Sequence, residues 1–215
     1  MPTLTRTELR SSHLRVFAVG ADRVALVPEQ AVLLAGDHVE VTVRVGAGRR
    51  LEIVEPGGTV AYAMRGRAAR WDVRVEVEAG GSLVWHGQPF VVAEGADVRR
   101  TTSVDLAPDA RAVLRETLVL GRHAEGPGRL VARTEVHRDG APVLVEELDS
   151  LAGLGPHRVV DQVLELGCPG GLDRLDQRGA AMCLQLESGD LLHRWLGAET
   201  HASPLTVCQS SPSAE

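Results

Sequence analysis

Histidine and cysteine are the residue types of this 215-residue chain that are best suited to bind a metal ion. No two of the eight His have the spacing His-x-His or i, i+4, and no Cys-x-x-Cys occurs, so the spacing predicts no tightly bound metal or cofactor. His86, beside Trp85, and His123, after Gly121-Arg122, are the best placed for transient contact with a soft divalent ion. Both positions are also typical of a histidine that is hydrogen-bonded or exposed at a turn.

Motifs for nucleophilic catalysis and phosphate binding are missing from the sequence. It has no Gly-x-Ser-x-Gly elbow, and no Cys lies in a family signature with His and Asn downstream. The Gly-rich stretches at 46–48 and 167–171 lack the Lys-Ser/Thr ending of a P-loop, so both are interpreted as turns. The adjacent acids Glu146 and Glu147 would point to opposite faces of a strand, which does not suit paired acid–base work. We therefore predict that the protein is not an enzyme.

Charge and composition exclude several classes of protein. The formal net charge is −6, whereas affinity for nucleic acid comes largely from cationic contacts with phosphate. The first 15 residues lack the apolar run of a secretory signal, and no stretch has the roughly 20 apolar residues of a membrane span. Three widely spaced cysteines, an odd number, predict no disulfide framework. We expect a soluble, cytoplasmic protein that binds neither nucleic acid nor membranes.

Alternation of apolar and polar residues with a period of two is the clearest pattern in the chain. Residues 39–45 alternate four valines with Glu40, Thr42 and Arg44, which places the valines on one face of a strand. The same pattern recurs at 71–77 and 130–136, and more loosely at 111–120 and 159–166. Short repeated runs of this kind predict an all-β protein.

Turn signals and a weak repeat indicate how the strands are arranged. Asp139-Gly140 is the strongest hairpin signal, because Asp-Gly suits a type I′ turn. Similar strand–turn sequences begin at Val45, Val77 and Leu106, about 30 residues apart, and favour stacked β layers. The predicted fold is an all-β, β-solenoid-like stack of short antiparallel and mixed strands, with one or two short helices at 172–179 and 28–34. A single domain is expected over residues 1–202, followed by a disordered tail at 203–215.

An ordered series of short motifs runs through the middle of the chain. A Leu-x-Trp strand leads to a Pro-Phe corner, then to Glu-x-Leu-x-x-Gly-Arg-x-Ala-x-Gly, and finally to an Asp-Gly turn before a strand with an acidic residue and Leu. The residues of the series are Leu83, Trp85, Pro89, Phe90, Glu116, Leu118, Gly121, Arg122, Ala124, Gly126, Asp139, Gly140 and Leu148. This series resembles the urease accessory protein D family. Pro127, where the family usually has Glu, and Ala35, where it usually has Gly, identify the chain as a divergent member.

The resemblance implies a urease maturation chaperone with a β-solenoid-like fold, acting through its surfaces and an interior polar channel for nickel. The implied partners are apo-urease, the helical urease accessory protein F and the nickel-carrying GTPase accessory protein G, with nickel in transit and no tightly bound cofactor. Partner binding is assigned to Arg122, Trp85 and Phe90, and transient metal contact to His86 and His123. The structural turns are assigned to Gly36, Asp37, Gly121, Gly126, Asp139 and Gly140. The polar strand faces supply further candidates for channel or interface positions, namely Glu40, Thr42, Arg44, Asp72, Arg74 and Glu76.

Two alternatives remain open from the sequence. A cupin-like metalloenzyme on a β scaffold would require three or more of the histidines to converge. A β-solenoid interaction module unrelated to nickel would have no effect on urease.

Overall fold

The computed structural model describes residues 7–29, 33–168 and 181–205, most of which lie in β-strands. Two sheets enclose a shared core. The first sheet contains, in spatial order, β1 (Glu8–Ser11), β4 (His38–Val45), β7 (Ala69–Val77), β9 (Asp97–Leu106), β11 (Arg129–Arg138) and β12 (Ala141–Asp149). The second contains β14 (Met182–Gln185), β15 (Leu191–Gly197), β13 (Val159–Leu166), β10 (Arg111–Leu120), β8 (Ser82–Val92), β5 (Arg50–Val54), β3 (Arg23–Pro28) and β2 (Leu14–Ala18), with β6 (Thr59–Ala61) also paired to β8.

The chain winds from one sheet to the other and back, so that each circuit adds a strand to each sheet. Strands β4, β7, β9 and β11 are parallel neighbours in the first sheet, and β5, β8 and β10 are parallel neighbours in the second. Val45 lies opposite Val77, and Val77 opposite Leu106, so the three copies of the weak repeat stack in register. The all-β, β-solenoid-like prediction is confirmed.

Inward-facing aliphatic side chains fill the space between the sheets. On β4, Val39, Val43 and Val45 have no exposed surface, whereas Glu40 between them is exposed. Complete burial of one such side chain stabilises the folded state by roughly 1.5–3 kcal/mol. The same alternation of buried and outward-facing residues continues on β7. The core is therefore built mainly from the aliphatic side chains that strand alternation turns inward, and Trp71, Trp85 and Phe90 add to it.

The polar residues of these strands lie on the outer face of the first sheet. His38 Nε2 lies 2.7 Å from Asp72 Oδ2, and Arg44 Nε lies 3.0 Å from Glu76 Oε2 on the neighbouring strand. Exposed pairs of this kind contribute little to stability. Alternation with the buried residues points the candidate channel or interface positions outward, so these residues do not line an interior channel, whereas an interface role for them stays a prediction; they are Glu40, Thr42, Arg44, Asp72, Arg74 and Glu76.

The predicted hairpin at Asp139-Gly140 joins β11 to β12. Asp139 and Gly140 have φ values of +50° and +76°, and Arg138 pairs with Ala141, so two residues close the turn as type I′ requires. At the earlier turn, Gly36 has φ +83°, and the Asp37 carboxylate accepts a hydrogen bond of 2.7 Å from the Leu34 N–H.

Helix is limited to one 3-10 turn, Thr200–Ala202, in the described part of the chain. The helix predicted at 172–179 lies outside the described residues. A second helix is predicted at 28–34. Pro28 instead ends β3, and residues 30–32 lie outside the described ranges. Ser203 and Leu205, assigned to the tail, pack on the second sheet, while 206–215 are not described. No described helix is long and apolar enough to cross a membrane.

Candidate functional site between the two sheets

A continuous set of polar side chains crosses the largely apolar interior. We call Arg100, Glu116, Gln162, Arg194 and Glu146 the interior polar cluster. Arg100 Nε donates to Glu116 Oε1 at 2.5 Å, and Gln162 Nε2 donates to Glu116 Oε2 at 2.9 Å. Arg194 Nε donates to Gln162 Oε1 at 3.0 Å, and its two terminal nitrogens contact Glu146 Oε1 and Oε2 at 2.7 and 2.5 Å. The cluster therefore joins the first sheet to the second through an unbroken hydrogen-bonded chain.

Strand alternation positions each member of the cluster. Arg100 follows the buried Val98 on β9, and Gln162 lies between the buried Val160 and Leu164 on β13. Arg194 has the same phase as the buried Leu192 on β15. Polar side chains thus occupy positions where the pattern of each strand calls for apolar ones.

A bulge in β8 shapes one end of the site. Arg115 pairs with His86 and Thr117 with Pro89, so β8 contains one more residue than β10 in this interval. The bulge requires Gly87, because a Cβ there would lie 2.4 Å from the main-chain oxygen of Arg115. The extra residue turns the side chains of both Trp85 and Phe90 inward.

Glu55 holds the bulge from the opposite side. Its Oε1 accepts a hydrogen bond from Trp85 Nε1 and its Oε2 accepts one from the Gln88 N–H, each at 2.9 Å. Burial raises the pKa of Glu55, and these two hydrogen bonds oppose the rise by stabilising the carboxylate.

Aromatic rings surround the Arg100 guanidinium. Its central carbon lies 4.9 Å from the centroid of Phe90 and 5.6 Å from that of Trp71, and the two rings meet edge to face at 5.4 Å. Cation–π attraction therefore adds to the ion pair with Glu116 in fixing Arg100.

A cavity of about 50 Å³ lies beside the cluster and is lined by both Glu55 and Glu116. This volume has room for a few water molecules or one partly hydrated ion. Carboxylate and amide oxygens such as those of Glu116 and Gln162 can ligate a divalent cation, but each carboxylate already accepts hydrogen bonds. The arrangement suits weak, exchangeable binding rather than storage.

Trp85 and Phe90, two of the predicted partner-binding residues, lie in this interior with 7% and 4% of their surface exposed. Arg122, the third, is exposed on the turn that follows β10 and forms an ion pair with Glu125. The hydrogen bond from Arg122 is the main cause that lowers the pKa of Glu125 to about 2. A role in partner binding stays a prediction for all three residues.

The two histidines predicted to contact metal are not brought together. His86 lies on the outer face of the second sheet, with Nε2 3.5 Å from Glu52 Oε1, and burial lowers its pKa. His123 is exposed beyond the far end of β10. Among the described residues, which include all eight histidines, no three His, Cys, Asp or Glu converge as metal ligands. The convergence that the cupin-like alternative requires is therefore not seen in this part of the chain.

The predicted turn after β10 is held by several contacts. Gly121 has φ +83°, and the Gly126 N–H donates to Glu94 Oε2 at 3.1 Å. Arg158 donates three hydrogen bonds of 2.8–3.0 Å to main-chain carbonyl oxygens at the end of β10 and in this turn.

Sequence reasoning missed most of the interior polar cluster and listed Glu116 only as a motif match. The sequence does contain a signal for this cluster, because Arg100, Gln162 and Arg194 each occupy a position of their strand at which the alternation predicts an apolar residue.

Comparison with known proteins assigns the family. The family model described as UreD urease accessory protein matches residues 21–204. Urease accessory protein UreD 1 of Streptomyces griseus subsp. griseus is 51% identical over 153 residues, which cover 67% of this chain and 60% of the relative. UreD 2 of Saccharopolyspora erythraea is 40% identical over 66% of this chain and 54% of its own length, and UreD of Streptomyces coelicolor is 41% identical over 66% and 60%. The matched part of the chain spans between half and two thirds of these relatives. The chain therefore belongs to the UreD urease accessory protein family.

Proposed function

We propose that the chain is a non-catalytic chaperone of urease maturation, which bridges apo-urease to other accessory proteins and assists nickel incorporation. The proposed partners are the helical accessory protein F and the nickel-carrying GTPase accessory protein G, and the proposed location is the cytoplasm. Family membership supports a role in urease maturation. The observation that supports passage of nickel is the interior polar cluster with its adjoining cavity.

Such a cluster is costly in a protein held together by aliphatic packing. Taking charges out of water costs several kcal/mol per ion, and an apolar replacement of a buried pair is often neutral or stabilising. Arg100 and Glu116 are each only 15% exposed, and Arg194 is 11% exposed. A function that needs polar groups inside the fold accounts for keeping them there.

Nickel is the ion proposed to pass through this interior. An ion in transit must be released again, so its ligands must bind it weakly. Imidazole and thiolate ligands bind nickel more tightly than carboxylate and amide oxygens, and a tight site would retain the ion. Glu116 is already paired with Arg100, so an incoming cation must compete with an existing ion pair. This competition lowers the affinity of the interior and favours release toward urease.

The test is co-expression of urease with its accessory proteins at limiting nickel, with and without this chain. The proposal predicts that omission leaves urease with little nickel and little activity. Full activation without the chain would contradict it and would favour the interaction module unrelated to nickel.

A pair of matched variants then tests the interior. Glu116→Gln is expected to lower the nickel content of urease, because it removes a buried carboxylate. Glu76→Gln, on the outer face of the first sheet, is the control and should leave nickel content unchanged. Equal nickel content with both variants would remove the interior from the proposal.

A further inference from the structure

A row of valines crosses the outer face of the second sheet. Val60 lies opposite Val91, Val91 opposite Val119, and Val119 opposite Val159, so four adjacent strands each place one valine on the same rung. The residues on either side of Val91, Phe90 and Val92, are buried in the core, so Val91 points outward. An aliphatic row on this face contributes nothing to the core between the sheets.

The valine row forms the floor of an open groove of about 340 Å³. One wall is the turn that contains Arg122 and His123, and the other is the segment 198–200. This volume falls within the range of roughly 300–1,000 Å³ that is usual for ligand pockets. Val159 is 1% exposed, whereas Val60, Val91 and Val119 are only half-buried and accessible from the groove.

The rim of the groove carries an arginine, Arg158, that forms no ion pair with the described acids. Arg122, His123, Arg158 and Glu199 line it, and Arg122 is already paired with Glu125 on the same turn. Arg158 donates its hydrogen bonds to neutral main-chain carbonyls, and within the described ranges no carboxylate lies at ion-pair distance from it. Its charge is therefore not neutralised locally, and an incoming carboxylate would neutralise it.

We infer that this groove binds a segment of a partner protein that presents aliphatic side chains next to a carboxylate. The aliphatic groups cover Val60, Val91 and Val119, which removes apolar surface from water. The carboxylate lies toward Arg158, where a charge-assisted hydrogen bond fixes its orientation. The inference rests on the proposed function in one respect, namely that the chain has a protein partner. The surface and the ligand chemistry that it assigns lie outside the interior polar cluster.

The test is selection of phage-displayed random peptides on the immobilised full chain, so it needs neither urease nor nickel. Selected peptides are expected to combine aliphatic residues with a neighbouring Asp or Glu. They should bind the wild type but neither Val91→Glu nor Val119→Glu. Val131→Glu, at an outward position of β11 in the other sheet, is the matched control and should still bind.

A selected peptide is then measured by fluorescence anisotropy. Replacing its acidic residue by the amide should weaken binding about tenfold, as expected for loss of a charge-assisted hydrogen bond, and added salt should weaken it further. Failure to select any peptide, selected peptides without an acid, or unchanged binding to both floor variants would each overturn the inference. Thermal unfolding shows whether Val91→Glu and Val119→Glu are folded. One folded variant of the two is enough for the binding test. Full urease activation in the absence of the chain, together with intact peptide binding in the groove, would refute the proposed function and leave the groove assignment standing.

Discussion

Removal of Glu116 alone is expected to destabilise the protein more than removal of Glu116 together with Arg100. Their side chains are each 15% exposed and 2.5 Å apart, so Glu116→Leu leaves an interior guanidinium without its carboxylate. Breaking a buried ion pair from one side typically costs about 3–5 kcal/mol. Because the pair is not fully buried and borders a cavity, we expect a cost of about 2–3 kcal/mol.

The double variant Arg100→Met/Glu116→Leu should recover most of this loss. Apolar side chains of similar volume replace a buried pair with little net cost. Gln162 loses its acceptor on Glu116, and this lost hydrogen bond is worth about 1 kcal/mol. The double variant is therefore expected within about 1 kcal/mol of the wild type.

Thermal unfolding followed by tryptophan fluorescence measures both variants. For a chain of this size, 1 kcal/mol corresponds to roughly 2–4 °C in Tm, so the single variant should unfold about 4–12 °C below the wild type. The double variant should lie within about 4 °C of it. A double variant that unfolds as early as Glu116→Leu would refute the reasoning, because the cluster would then be a net source of stability.

Three further predictions concern the bulge, the turn after β10 and the C-terminal segment. Gly87→Ala should destabilise the fold by about 1–3 kcal/mol in urea unfolding, because its Cβ would meet a main-chain oxygen of β10; an unchanged midpoint would contradict the bulge. In an NMR titration, Arg122→Ala should move the pKa of Glu125 from about 2 toward its ordinary 4.5. Because that pKa is depressed in the folded state, the stabilisation is present above pH 4.5 and lost as the pH falls toward 2; a pKa that stays near 2 would refute the assigned cause. Ser203→Ala removes a 2.5 Å hydrogen bond to the buried Asp161, costing about 1 kcal/mol, and should speed limited proteolysis of the C-terminal segment, whereas an unchanged rate would argue against anchoring.

Strand alternation made much of the fold predictable. The four valines at 39–45 and the Trp71 strand face the core as their period of two indicates. The Asp139-Gly140 hairpin followed from turn chemistry, and the repeat at Val45, Val77 and Leu106 predicted the stacking. These features are local, or recur at a fixed interval, and can therefore be recognised without knowing which strands meet.

The interior polar cluster depends on contacts between distant parts of the chain. Arg100 and Glu116 lie on different sheets, and Arg194 meets Glu146 only because the edge of one sheet faces the other. Trp85 and Phe90 would point to opposite faces of a regular strand, and only the bulge at Gly87 brings both inward. A period of two shows which face a residue occupies, but not its partner across the core.

The most direct measurement of the central claim is the nickel content of urease co-expressed with the Arg100→Met/Glu116→Leu variant at limiting nickel. This variant is expected to keep the fold, and it removes the Arg100–Glu116 ion pair from the interior. The account predicts that urease then contains as little nickel as urease made without the chain, although the folded variant is present. Nickel content equal to that obtained with the wild type would contradict the claim that the interior polar cluster serves urease maturation.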